Sequence, residues 1–213
     1  MKQDADAPRP AHTAAELMRA ARDEFAARGY AGASVRAITA AAGANLGAIT
    51  YHFGSKQALY EAVLSDAVGE AARRVEAAAS AAGREPLDRA GDVVRALFGY
   101  WGEHAEVPRL MLQALASREG PPAAVAQHLQ RLLGALAGLV SEGQRDGSIR
   151  AGDPRLLAIS IVSNPLHLNI VRAPMQAFMH MDLGDPELQA RVTENAVQFV
   201  RGGLAAAPGG VAR

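Results

Sequence analysis

Cysteine is absent from this chain of 213 residues, and its absence removes disulfide frameworks, thiolate metal sites and thiol redox chemistry together. A reducing cytoplasm suits such a chain. Net charge is also absent, since 22 Lys and Arg balance 22 Asp and Glu, and a neutral protein does not bind nucleic acid indiscriminately. No apolar run is long enough to span a bilayer: the most apolar window, "LLAISIVSNPLHLNIV", is short and contains Ser, Asn, Pro and His. The start, "MKQDADAPRPAH", has no apolar segment of the signal-peptide kind. A soluble cytoplasmic protein with no membrane partner is expected. Enzyme signatures are missing as well. There is no GxGxxG, no phosphate-cradling glycine loop, no nucleophile-base signature and no paired-carboxylate motif, so catalysis and cofactors are not expected. His12, His52, His104, His128, His167 and His180 show no i, i+3 or i, i+4 pairing, so no metal site is expected either.

What is present is mostly helix former. Ala, Leu, Arg and Glu are abundant, β-branched alternation is rare, and Gly and Pro fall between apolar-periodic segments, which predicts an all-α fold. "TAAELMRAARDEFAARG" carries a capping-box pattern at Thr13 and Glu16, an apolar stripe through Leu17, Ala20, Ala21 and Phe25, and a stop at Gly29. Ser34 caps a short second helix, "VRAITAAA", ended by Gly43. Asn45 then caps a third, "LGAITYHF", with Leu46, Ile49 and Phe53 at helical spacing. Ser55 caps a long helix reaching about Ala82. Two short helices joined by a glycine turn and braced by longer ones form a helix-turn-helix arrangement.

Beyond Glu85 the pattern is a series of apolar segments separated by breakers. The longest carries Val125, Leu129, Leu132, Leu133, Leu136, Leu139 and Val140 on one stripe. Asp153-Pro154 and Asp185-Pro186 read as helix starts, and Pro165 as a kink or a freed carbonyl. The organisation predicted is a disordered tail over 1–12, a helix-turn-helix head over 13–60, a larger helical domain over 61–204 and a disordered tail over 205–213, with about nine helices. Charge is unevenly spread along this plan. From Phe25 to Tyr60 the chain carries Arg28, Arg36 and Lys56 and no Asp or Glu.

"AARDEFAARGYAGASVRAITAAAGANLGAITYHFGSKQALYEAVL" closely resembles the N-terminal domain of TetR/AcrR-family transcriptional regulators. The likeness runs from the Phe and Gly-Tyr closing the first helix, through "SVRAITAAAGA", to "GAITYHFGSKQAL", and covers about a quarter of the chain. Thr50-Tyr51 stands where that family commonly has Tyr-Tyr, and Asn45 where Val is frequent. The resemblance implies a dimeric, ligand-responsive regulator, a repressor released from a pseudopalindromic operator on double-stranded DNA by a small, largely apolar effector. The alternative is a helical carrier or sensor whose head no longer binds DNA.

The resemblance also assigns residues. Leu46, Gly47, Ala48 and Thr50 would meet the major groove, where small residues let the backbone approach the base edges and Thr50 can meet a thymine methyl or a phosphate; Asn45 counts with them as a DNA-binding residue. Tyr51 and His52 would touch the DNA backbone or support the helix, and Lys56, Ser34 and Arg36 would hold phosphates at helix starts. In the larger domain it implies an effector cavity and a homodimer made by the last two long helices. Tyr100, Trp101, His104, Met111, Gln113, Asn164, His167, Asn169 and Met175, polar-tipped or bulky within apolar segments, are the candidate cavity residues.

Overall fold

A computed structural model describes residues 10–117, 120–182 and 184–207. Of the tails expected at 1–12 and 205–213, residues 10–12 belong to the first helix, while 1–9 and 208–213 lie outside the described residues. Within them the chain forms ten helices: α1 Pro10–Gly32, α2 Val35–Ala41, α3 Ala48–Phe53, α4 Lys56–Ala79, α5 Pro86–Glu103, α6 Val107–Leu115, α7 Ala123–Asp146, α8 Pro154–Ile170, α9 Arg172–Met179 and α10 Pro186–Leu204.

The first helix starts at Pro10, three residues ahead of Thr13, so Thr13 lies inside the helix and is not its cap. Proline suits that place because its missing N–H falls where a helix has no use for one. Gly29 does break the helix, with φ 68° and ψ 173°, and one further turn follows it. The turn between α2 and α3 is a Schellman motif. Gly43 at φ 63° gives its N–H to the Ala40 carbonyl at 3.2 Å, and Ala44 gives its own to Thr39 at 2.8 Å. Ser34 and Ser55 cap α2 and α4 by accepting from Ala37 N at 3.4 Å and Ala58 N at 3.1 Å. Each such cap stabilises by about 1 kcal/mol relative to Ala.

α1, α2 and α3 pack with the start of α4 around Leu17, Phe25, Ile38, Ile49 and Leu59, all buried. α4 then runs unbroken past the boundary expected at residue 60 and enters the larger bundle, where it packs mainly against α7 and α5. Its buried row, Val63, Leu64, Ala67, Val68, Ala71, Ala72 and Val75, keeps the two parts in one continuous core. At roughly 1.5–3 kcal/mol for each fully buried large aliphatic side chain, this row gives the head a rigid seat on the bundle.

Two expectations for the second half change. The extra helix is α9, set off from α8 by a 53° bend at Val171, whereas α8 continues through Pro165 as one helix. The segment after Leu204 is ordered at its start. Ala205 pairs with Ile149, Ala206 N–H reaches the Ser148 carbonyl at 3.2 Å, and Arg150 bonds the Gly203 and Leu204 carbonyls, closing α10 onto the α7–α8 turn. Among the described residues no single helix is long and apolar enough to cross a membrane.

Candidate functional site

α3 is six residues long and divides cleanly between inside and outside. Ala48 and Ile49 point into the core and Phe53 packs on its edge, while Thr50 and Tyr51 face solvent. Tyr51 is 77% exposed. The turn before α3 adds Asn45, Leu46 and Gly47 to the same exposed surface, with Leu46 at 56%. Two readings therefore change. Ala48, expected to face the groove, is buried at 7% because the first turn of α3 joins the core that this helix shares with α1, α2 and α4. Asn45 does not cap α3 with its side chain. Its backbone carbonyl accepts from Ala48 N at 3.1 Å, Gly47 occupies the cap position, and the Asn45 amide has no partner among the described residues.

His52 is half-buried, with its ring 4.8 Å from Tyr51 and 6.3 Å from Phe53, so it braces the exposed tyrosine from behind. Arg36 is exposed on the first turn of α2 and has no partner among the described residues. Ser34 spends its oxygen on the helix cap, and its own N–H donates to Glu24 Oε1 at 3.1 Å. Glu24 also pairs with Arg28 at 3.4 Å, so one carboxylate just outside the acid-free stretch holds the α1–α2 corner.

Lys56 is tied inward. Its ammonium donates to the Tyr30 carbonyl at 2.5 Å and lies 4.6 Å from the centre of the Tyr30 ring. Tyr30 in turn belongs to an aromatic trio, with Tyr60 5.1 Å from it and Phe25 5.0 Å from Tyr60. Burial pushes the Tyr60 phenol above its ordinary range. Sequence reasoning missed Tyr30, although the family-like Gly-Tyr at the end of α1 was the available signal. Its carbonyl follows the Gly29 break and would otherwise lack a helical donor. Lys56 thus locks the end of α1 to the start of α4 with one of its three donors and keeps two more.

The larger domain holds an apolar cavity of about 210 Å³ bounded by α4, α5, α6, α7 and α8. Of the nine candidates, Trp101 and Met111 line it. The rest of its wall is aliphatic: Ala71, Leu97, Leu115, Leu129, Leu132, Leu133, Ile159, Val162 and Leu166, with Ser163 the one hydroxyl. Nothing in the sequence separates such residues from ordinary core, which is why they were missed. The other seven candidates lie elsewhere. Tyr100 is buried beside the cavity wall but turned toward α4, donating to the Ala67 carbonyl at 3.0 Å, and desolvation lifts its phenol to about 12. His104 closes α5 and faces Glu106 at 3.6 Å. Gln113 borders a separate polar cleft between head and bundle that also involves Tyr30, Gln57 and Tyr60. Asn169 bonds back to the Pro165 carbonyl at 2.9 Å, satisfying the local backbone. His167 is exposed, Asn164 is half-buried, and Met175 lines an open groove of about 380 Å³ against α10.

α6 connects these places. It packs against α1 and α4 on the head side and α8 on the bundle side, and it supplies Met111 and Leu115 to the cavity. Arg22 of α1 reaches Asp66 of α4 at 2.6 Å and Glu106, the residue before α6, at 3.8 Å. Leu156 of α8, Phe178 and Met179 of α9, and Phe199 of α10 stand exposed, as does Ile159 at the open rim of the cavity.

Comparison with known proteins agrees with this architecture. The profile described as "Bacterial regulatory proteins, tetR family" matches residues 17–63, and "Tetracyclin repressor-like, C-terminal domain" matches residues 86–200, which is more than half of the chain. The HTH-type transcriptional repressor AcnR of Corynebacterium efficiens is 40% identical over 68 residues, 32% of this chain and 35% of that protein. The matched stretch is thus about a third of the length of these curated relatives. In fold, the chain is similar to the ketosteroid transcriptional regulator KstR2 of Mycobacterium tuberculosis, with 21% identity, 91% of this chain and 95% of that one covered, and a TM-score of 0.71. The fatty acid degradation regulator FadR of Bacillus halodurans gives 20% identity, coverage of 89% and 98%, and the same TM-score of 0.71. With the helix-turn-helix head matched by one profile and the bundle by the other, the chain belongs to the TetR family of bacterial regulatory proteins.

Proposed function

We propose that this protein is a cytoplasmic, dimeric transcriptional repressor that binds a pseudopalindromic operator and is released by a small, uncharged, largely apolar effector. The observation that carries the reading is the solvent-facing surface of α3, offered by a head whose caps, glycine turn and aromatic trio are all intact. A carrier with a disused head would have no need to keep them. Two heads would enter successive major grooves about 34–36 Å apart, or a multiple of that spacing. Arg36 and the two remaining donors of Lys56 fit phosphate contacts, which position the head without reading sequence.

The exposed apolar residues of α8, α9 and α10 fit the dimer face. They would bury Leu156 and Phe199 against a second copy, as the last two long helices were expected to do. For the effector, the cavity wall offers no charge to neutralise an ion, and a buried unpaired charge is too costly to keep. Its volume lies below the roughly 300–1,000 Å³ of drug-sized sites, so a multi-ring ligand must open it. Opening it displaces Met111 and Leu115, and with them α6 against α1. That movement respaces the heads.

The test is recovery of genomic fragments by the purified protein, followed by binding to the recovered site across a salt series. The expected result is one pseudopalindromic site with a steep salt slope. An effector that enters the cavity should weaken it about 5- to 150-fold, with operator weakening the effector by the same factor. Only weak, sequence-blind binding would overturn the repressor reading in favour of the carrier.

A further inference from the structure

The surface presented by α3 and the turn before it is distinctive in its chemistry: Asn45, Leu46, Gly47, Thr50 and Tyr51 include no charged side chain. The three cations of the Phe25–Tyr60 stretch are placed elsewhere. Arg28 pairs with Glu24, Lys56 is held on Tyr30, and Arg36 stands on α2. His52 is drawn behind Tyr51. Guanine is read most often by Arg or Lys bonded to O6 and N7 in the major groove, and this surface cannot make that contact. It offers something different. A carboxamide matches the N6 donor and N7 acceptor of adenine, and apolar side chains pack on the C5-methyl group of thymine. Asn45 has that carboxamide unspent, because its backbone and not its side chain takes the first N–H of α3. Leu46 is a large apolar side chain held more than half exposed beside it.

We infer that α3 selects operator half-sites whose contacted base pairs are A·T, with Asn45 reading an adenine and Leu46 covering a thymine methyl. The inference rests on the DNA-binding reading above and adds the base identity to it. Both residues are exposed and outside the core, so their replacement leaves the head folded.

Random-sequence selection with the full chain, followed by binding assays on the selected site, tests it. Asn45→Ala should reduce discrimination for adenine at one position by about ten- to a hundredfold. Replacing the contacted thymine by deoxyuridine removes only a methyl group. It should weaken the wild-type protein about fourfold, the value of one buried methyl, and leave Leu46→Ala unaffected. Leu46→Lys should move the preference at its position toward guanine. Selected sites with G·C at the positions that respond to these variants, or a loss of affinity equal for all sequences, would overturn the readout while DNA binding stands. If no sequence is enriched at all, the regulator reading fails, and this inference fails with it.

Discussion

Replacing Lys56 by Met keeps most of the aliphatic stem and removes the ammonium, and it separates two roles of this side chain. In the free protein the change deletes the bond to the Tyr30 carbonyl and the contact with the Tyr30 ring. A half-exposed bond from a charged donor contributes about 1 kcal/mol, and an exposed cation–π contact about 0.5–1 kcal/mol. Lys56→Met should therefore destabilise by about 1–2 kcal/mol. For a chain of this size that lowers Tm by roughly 2–8 °C. On DNA the two free donors are the ones at stake. One phosphate contact per head adds about 0.9 to the salt slope, so a dimer should lose about 1.8 in log Kd against log salt. Differential scanning fluorimetry reads the first effect, and operator titrations at several salt concentrations read the second. A lowered Tm with an unchanged salt slope would refute the phosphate role and leave Lys56 as a purely internal clasp. An unchanged Tm would refute the clasp.

Further predictions follow from packing, the cavity and the helix caps. A Cβ on Gly143 would come within 2.6 Å of the buried Ile149 side chain, so Gly143→Ala should destabilise by about 1–2 kcal/mol in urea titrations. In an Ile149→Ala background the cost should shrink without vanishing, because the two contacts at 2.6 Å go and the one to the Cβ at 3.0 Å stays. Leu133→Trp, which fills part of the cavity, should leave operator affinity within about twofold and abolish effector release; retained release would place the effector elsewhere. At the start of α8 the Arg155 side chain and the capped N–H hold the Asp153 carboxyl down at about 2, below its ordinary 3.8. A lowered pKa means that the cap stabilises fully above pH 4 and is lost as pH falls toward 2. Asp153→Asn should flatten the acid limb of the stability profile in that window and nowhere else.

The head was legible in the sequence because its signals are local. Ser34, Gly43 and Ser55 each act within four residues of themselves, and each does in the structure what its residue type predicts. Periodicity at the start of a very short helix was less reliable. Leu46 stands at helical spacing from Ile49 and Phe53, yet α3 begins only at Ala48, so the extra turn that would bury Leu46 does not form. The cavity was hardly legible. Its wall is made of the same Leu, Val and Ile that fill any core, and only the meeting of five helices decides which of them face a void. Polar-tipped residues misled for the opposite reason. Tyr100 and Asn169 are kept by hydrogen bonds to nearby carbonyls, a structural use that sequence spacing does not distinguish from ligand contact. The three-dimensional role of Lys56 was also hidden, because its partner is a backbone carbonyl 26 positions earlier.

The position of Trp101 makes the protein its own optical probe. It is the only tryptophan in the chain, it is 1% exposed, and it forms part of the cavity wall. Three of the four tyrosines, Tyr30, Tyr51 and Tyr60, belong to the head and its seat on α4. Excitation at the red edge, where tyrosine does not absorb, therefore reports from the chamber formed by the apolar cavity alone. A ligand entering that chamber changes the polarity and quenching around one indole, and emission follows its occupancy without a label. Operator binding at the opposite end should alter the same signal only so far as it reshapes the chamber. A single cuvette can thus follow communication between the two ends of the molecule.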